Sequence, residues 1–391
     1  MDRPASYLPS KSHYPILDGL RGVAAVMVVI FHTFEAYADD NRFTQKINHG
    51  YLAVDFFFLL SGFVVAYAYD DRWGNMTQWD FYKRRLIRLQ PMVIMGNLIG
   101  AALFYFQSCP MFNLVSSTPV WKMLIVMLVG FTLLPLLPSM DIRGWKEMHP
   151  LDGPAWSLFF EYVANLLYAL GLRKLSNRWL GLLVFLSACL LVHLAVLGPR
   201  GDVVGGWTVD REQLHIGFAR MFYPFFAGML LMRTGKRIHT GQAFLVCSVL
   251  LIAILSFPRL GGPEQLWMNG LYESFCIILL FPVIVAMGAG AGVTGRVSSR
   301  LCQLLGDISY PLYITHYPLI YVYTAWVTRD KIPASYGAPM GVLLLFSSLL
   351  IAYACLKLYD EPLRAWLTRR YLAKRDIGQK LPVQPVGTAR D

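Results

Sequence analysis

Apolar stretches long enough to cross a membrane recur along this chain almost from end to end. They fall at 17–36, 51–69, 91–107, 121–138, 155–172, 179–198, 215–233, 242–257, 269–288, 304–326 and 338–358. A spanning helix needs about 20 apolar residues, so eleven candidates in 391 residues leave no sizeable soluble domain. The fold class expected is an all-α polytopic membrane protein. Composition agrees. Hydrophobic residues make up 56%, charged residues only 15%, and the mean hydropathy is +0.46. Soluble domains carry about 25% charged residues.

Charge in the connections orders the stretches. The net charge of +11 reads as basic cytoplasmic loops. Nucleic acid is excluded as a partner, because no basic run is interleaved with stacking aromatics in a soluble segment. Lys83, Arg84, Arg85 and Arg88 follow the second stretch and place that loop, and with it the N-terminus, in the cytoplasm. Basic clusters after the fifth, seventh, ninth and last stretches share one parity, and it differs from that of the 83–88 loop by one crossing.

One stretch among the third to fifth is therefore not expected to cross. Segment 121–138 is short and ends in Leu134-Pro-Leu-Leu-Pro138. It is the one nominated, as a re-entrant or interfacial segment within an outward-facing lid over 108–154, which needs protein or a wet cavity to satisfy its backbone. About ten transmembrane helices with both termini cytoplasmic result. Eleven crossings with a weak charge signal is the alternative.

The divisions expected are a cytoplasmic N-terminal arm over 1–15, a membrane domain over 16–360, and a basic cytoplasmic tail over 361–391, disordered toward its Pro/Gly-rich end. The first fifteen residues lack a short apolar core with a cleavage site, so no removable signal peptide is expected. The six cysteines form no CxxC pair and read as apolar packing residues.

Ionisable residues inside such stretches are expensive and mark functional sites. Arg21 and His32 lie in the first, with ten residues between them, about 16 Å of helical rise. Histidine titrates near neutrality and suits a general base; a hydrogen-bonded core histidine is the plain alternative. Arg21 can snorkel to headgroups or pair with Asp18 at i, i+3.

In Phe81-Tyr-Lys-Arg84-Arg85-Leu-Ile-Arg88-Leu-Gln-Pro91, the arginines line one side if the segment is helical, with Pro91 then starting the third span. Such arginines either grip phosphates or only report topology. Glu161, in Trp156-Ser-Leu-Phe-Phe-Glu161, sits within an apolar helix and is either functional or a buried carboxyl partnered by an arginine. Asp55 and Ser61 fall in the second stretch, where Ser61-Gly62 suits close helix packing. His316 and Arg220 are further embedded ionisable groups. No metal pattern, Walker A sequence or GxGxxG occurs.

These motifs together resemble the acyltransferase-3 family of integral membrane acyltransferases. Leu17-Asp-Gly-Leu-Arg21-Gly with His32 resembles its opening Arg-x10-His motif. Asp55-Phe-Phe-Phe-Leu-Leu-Ser-Gly-Phe63 is similar to the second, Phe81-x-x-Arg84-Arg85-x-x-Arg88-x-x-Pro91 to the third, and Trp156-Ser-Leu-x-x-Glu161 to the fourth. The stretch through His316-Tyr-Pro resembles a late family segment. Two departures stand out. Tyr162 occupies the place where many members carry a second acid, and no fused esterase-like domain follows the last stretch. Transfer is therefore expected to finish within the membrane domain or on a partner.

The resemblance implies transfer of an acyl group, most often acetyl, from cytoplasmic acyl-CoA to a hydroxyl of a carbohydrate or lipid-linked acceptor. Acyl-CoA is then the co-substrate, with no metal, and membrane lipids surround the protein. Arg21, Arg84, Arg85 and Arg88 are expected to meet the CoA phosphates. His32, with Glu161 and Asp55 to orient it or to bind the acceptor, is expected to do the chemistry, by direct deprotonation or as an acyl carrier. Trp156, Ser61, His316 and Arg220 are expected to support the acceptor. The competing classes are a transporter or flippase of a glycan or lipid and a ligand-binding sensor.

Overall fold

A computed structural model describes residues 11, 13–38, 41–293 and 295–372. Helices dominate them: α1 (Pro15–Glu35), α2 (Ala53–Tyr69), α3 (Gln78–Leu103), α4 (Val120–Gly130), α5 (Ala155–Leu170), α6 (Asn177–Val192), α7 (Arg211–Thr234), α8 (Ala243–Ser256), α9 (Trp267–Phe275), α10 (Phe281–Gly290), α11 (Arg296–Thr315), α12 (Tyr317–Arg329), α13 (Ala334–Cys355) and α14 (Glu361–Tyr371). Short π-helical turns join α9 to α10 and α13 to α14. Among the described residues, seven helical stretches are long and apolar enough to cross a membrane, α1, α2, α3 and α7 included. Large apolar side chains such as Phe185 on α6 and Phe346 and Leu350 on α13 face outward, as expected of a bundle whose solvent is lipid.

The expected stretches reappear with three changes of boundary. First, the basic segment 81–91 is not a loop. A capping box, with Thr77 accepting from the Asp80 amide and Asp80 reaching back to Thr77, starts α3 at Gln78, and the helix runs through Pro91. Pro91 therefore lies inside the third helix rather than at its start. Second, the apolar run 304–326 breaks at His316 between α11 and α12, where Pro318 opens the second helix. Third, residues 361–371 of the expected tail are helical. The expected disorder beyond 376 and most of the N-terminal arm lie outside the described residues.

Stretch 121–138 yields only the eleven residues of α4, about 17 Å of rise, against a hydrocarbon core of about 30 Å. The α4 helix runs back along α3. Tyr105 donates to the Thr118 carbonyl near its start (2.9 Å), and Gln90 donates to the Phe131 carbonyl at its end. From there the chain turns through Leu133, in the left-handed region at φ +61°. It returns to where the Leu136 amide meets the Met148 carbonyl and the Met148 amide meets that of Trp207.

Two close helix pairs set the frame of the site. In α1 and α11, Arg21 lies beside Ser309 and His32 beside His316, so the two helices run parallel and in step. Glycine makes this approach possible: a Cβ on Gly22 would stand 2.4 Å from the Leu305 carbonyl oxygen. In α2 and α7, also parallel, Gly62 and Gly228 lie against the backbones of Phe225 and Leu59. At the far end of that pair Asp70 meets Arg233 at 2.7 Å.

Candidate active site

Where the ends of α1, α5, α11 and α12 converge they enclose a cavity of about 200 Å³. His32 and Glu35 come from α1, Trp156 from α5, Arg220 from α7, and Tyr313, Tyr317 and Tyr321 from α11 and α12. The segment between α3 and α5 covers it with Met111, Phe112, Trp145 and Glu147. Segment 108–154 thus supplies part of the wall.

His32 is half-buried, with its ring seated between aromatic neighbours. His316 stacks on it at 5.7 Å, and Tyr317 meets it edge-on at 4.7 Å. Its Nδ1 is 2.6 Å from Glu35 Oε2, one helical turn on. Among the described residues that is its hydrogen bond, and Nε2 has none. Glu35 Oε1 in turn accepts from Arg42 at 3.4 Å.

Neither acid expected to orient His32 does so. Asp55 is fully buried and bound by Arg220 through two contacts, 3.2 and 2.6 Å, while Arg220 also donates to the Tyr51 and Gly205 carbonyls and lies over the Trp156 ring. Glu161 accepts from Arg85 at 2.5 Å and from Ser61 at 2.9 Å. This is the arginine-partnered carboxyl that was the plain alternative for Glu161. Ser61 donates to that carboxylate, while Gly62 makes the close backbone approach. His316 is fully buried, its Nδ1 3.0 Å from the Leu312 carbonyl and its Nε2 without a partner.

The arginines gather about three turns away along α1. Arg21 donates to Ser309 (2.8 Å) and the Gly306 carbonyl and pairs with Asp18 at 3.2 Å. It is thus anchored to α11 rather than snorkelling. Arg88 stands within electrostatic reach of both Arg21 and Arg85. Its side chain is exposed and makes no ion pair among the described residues. Two of these three cations are paired, Arg85 with Glu161 and Arg21 with Asp18, so Arg88 supplies the positive surplus suited to a polyanion. No interaction among the described residues joins Arg84 to this group.

Sequence reasoning missed Glu35, Arg42 and the lid's internal anchor. Arg143 is fully buried with its guanidinium 3.4 Å from the centre of the Tyr321 ring, and it donates to the Pro150 carbonyl at 2.6 Å. Glu147 accepts from Tyr321 at 2.7 Å and lies 3.3 Å from Arg143. The i, i+4 spacing of Arg143 and Glu147 was visible in the sequence; their burial was not.

Burial pushes the Glu147 carboxyl up to about 7, against the opposing pull of Arg143 and the Tyr321 hydrogen bond. A carboxyl raised on folding contributes most stability below its ordinary value of 4.5 and loses it as pH rises to about 7. The stability difference between the protein and Glu147→Gln should therefore change across that window, by at most about 1.4 kcal/mol per pH unit. Thermal unfolding of both from pH 4 to 8 checks this, and a constant difference would remove the assignment.

A profile of the acyltransferase 3 family, described as an acyltransferase domain, matches residues 14–357. The chain belongs to the acyltransferase 3 family. The matched profile is that of an acyltransferase domain, and the chain's relatives include O-acetyltransferases. It is 24% identical over 338 residues to the O-acetyltransferase OatA of Staphylococcus aureus, which covers 83% of this chain and 53% of that protein. It is 24% identical over 382 residues to the putative peptidoglycan O-acetyltransferase YrhL of Bacillus subtilis, 96% of this chain and 48% of the relative. Protein 2 in the picA locus of Rhizobium radiobacter is 32% identical over 191 residues, 46% of this chain and 93% of that protein. The chain thus spans about half the length of OatA and YrhL. No solved structure matches it. Among the described residues no group of histidine, cysteine or acidic side chains could hold a metal ion.

Proposed function

We propose that this acyltransferase moves an acetyl group from cytoplasmic acyl-CoA to a hydroxyl of an extracytoplasmic or membrane-bound carbohydrate. The observation that carries the reading is His32, in an aromatic-walled cavity with an unengaged Nε2, about three helical turns from a cluster of arginines. In this account about ten helices of the 16–360 domain cross the membrane with both termini cytoplasmic, and α4 is re-entrant.

The donor's phosphates rest against Arg21, Arg85 and Arg88, and its pantetheine arm follows α1 toward the cavity. The rise of about 16 Å suits a long thin arm. The acceptor enters beside Trp156 and the lid. His32 Nε2 takes the proton of the acceptor hydroxyl as its oxygen bonds to the thioester carbonyl carbon. The C–S bond then breaks, and the CoA sulfur leaves with the proton from His32. The products are an ester and free CoA. Arg220, held from behind by Asp55, lines the acceptor pocket, and Glu161 with Ser61 holds Arg85 in place.

Incubating the purified protein in lipid nanodiscs with labelled acetyl-CoA and cell-envelope fractions should put label on a carbohydrate hydroxyl. Glycan movement with no acetyl-CoA consumed would sink the reading in favour of a transporter. Label on His32 in the absence of acceptor would make it an acyl carrier instead of a base.

Arg88 is the cleanest probe of the donor end, because Arg85 is tied to Glu161. Arg88→Ala should raise the dissociation constant for acetyl-CoA about tenfold, a loss of about 1.4 kcal/mol, and flatten its dependence on salt. Titration calorimetry at two ionic strengths measures both. Unchanged affinity would detach Arg88 from the donor.

A further inference from the structure

We propose that Glu35, itself held by Arg42, is a positioning residue that fixes the His32 imidazole with its lone pair turned into the cavity. The proposal rests on the acyl-transfer reading of this site.

Glu35 is the last residue of α1, one turn beyond His32. An acid at i+3 from a histidine on a helix is ordinarily a weak surface pair. Three observations set this one apart. The contact is short, 2.6 Å between Oε2 and Nδ1, as charge-assisted bonds are. Its second oxygen is taken by Arg42, whose guanidinium lies over the Tyr51 ring at 5.5 Å. And His32, Glu35, Arg42 and Tyr51 all line the same cavity. The chain between α1 and α2 thus returns a cation to brace the carboxylate from behind.

Other carboxylates near the cavity are engaged elsewhere, Asp55 by Arg220, Glu161 by Arg85, Glu147 by Tyr321, and Glu273 by Tyr51, Asn269 and the Val203 amide, while buried Asp152 bonds to no side chain among the described residues, His32 included. Glu35 is the acid that meets His32.

The chemistry follows from which nitrogen is bonded. A carboxylate on Nδ1 accepts a proton held there, so Nε2 carries the lone pair. His316 and Tyr317 restrict the ring's plane but leave it free to turn over. A turned ring would present the wrong nitrogen, and Glu35 sets the choice.

The test uses the full chain in nanodiscs with Glu35→Gln, Glu35→Asp and Glu35→Ala. Glu35→Gln should lower kcat by about ten- to a thousandfold while KM for acetyl-CoA stays within about twofold. Glu35→Asp should keep more kcat than Glu35→Ala. Nitrogen NMR of [15N]histidine, assigned against His32→Asn, should show the Nδ1–H form in the unaltered protein and a shift toward Nε2–H in Glu35→Ala. Unchanged kcat in Glu35→Gln, or an unchanged tautomer in Glu35→Ala, overturns the proposal. If the tautomer shifts but the unaltered protein transfers no acyl group, positioning stands and the acyl-transfer reading fails.

Discussion

Replacing His32 with alanine should cut acyl transfer by about 10²- to 10⁴-fold, the usual weight of a general base, while acetyl-CoA still binds. The expectation rests on the separation of the two ends of the site. The arginines proposed to meet the donor lie at the level of Ser309, and none of them contacts His32. The cavity around His32 is walled by rings that do not depend on the imidazole for their own hydrogen bonds, such as the Tyr321–Glu147 and Tyr313–Ser157 pairs. Removing the imidazole should therefore leave the walls standing and the donor held, and lose only chemistry. Turnover of labelled acetyl-CoA together with its dissociation constant checks both halves. Wild-type turnover would end the role assigned to His32, and a parallel loss of donor affinity would show that the ends are not separate.

Arg220→Met should be the most destabilising single change at the cavity, by about 3–5 kcal/mol. Arg220 and Asp55 are both buried, and the guanidinium satisfies two backbone carbonyls as well as the carboxylate. Removing the cation strands a buried carboxylate without its charged partner. Replacing both charges, Asp55→Leu with Arg220→Met, should recover most of that stability, because a buried ion pair is worth little more than an apolar pair of similar volume. The double variant should still lack activity if the pair shapes the acceptor pocket. Thermal unfolding in detergent, with turnover measured on the same samples, separates the two roles. A double variant as unstable as the single one would mean that the backbone contacts of Arg220, not its charge, hold α2 and α7 together.

Much of this architecture is legible in the residues, and its gaps have identifiable causes. Apolar runs set α1 and α2 to within a few residues, because hydrophobicity alone decides a spanning helix. The start of α3 was hidden by its charge: Lys83 to Arg88 look like a loop, although Thr77 and Asp80 carry the capping signal that overrides them. The break at His316 was masked by a continuous apolar run, with Pro311 and Pro318 as the punctuation.

Arg21, Arg85 and Arg88 could be suspected of sharing a ligand from their type and position. The pairing of Asp55 with Arg220, 165 residues apart, could not, since it comes from the packing of α2 on α7. Glu35 was overlooked for the opposite reason. It is near His32 in sequence at the edge of the apolar run, and only the cavity and Arg42 give it significance.

The parallel seam of α1 and α11 has a consequence for what the protein accepts as donor. Glycine contact at Gly19, Gly22 and Gly306 locks the two helices together, and both the level of Arg21 and the level of His32 are referenced to that locked pair. Neither helix can slide without dragging its neighbour, so the distance between them is a gauge cut into the fold. For a donor held at both ends, a carrier with a shorter arm would leave its thioester below His32, and a longer acyl chain would have to fit the 200 Å³ beyond it. Preference for one carrier and one class of acyl group would then need no recognition of either by hydrogen bonding, only a fixed measure that the right molecule matches.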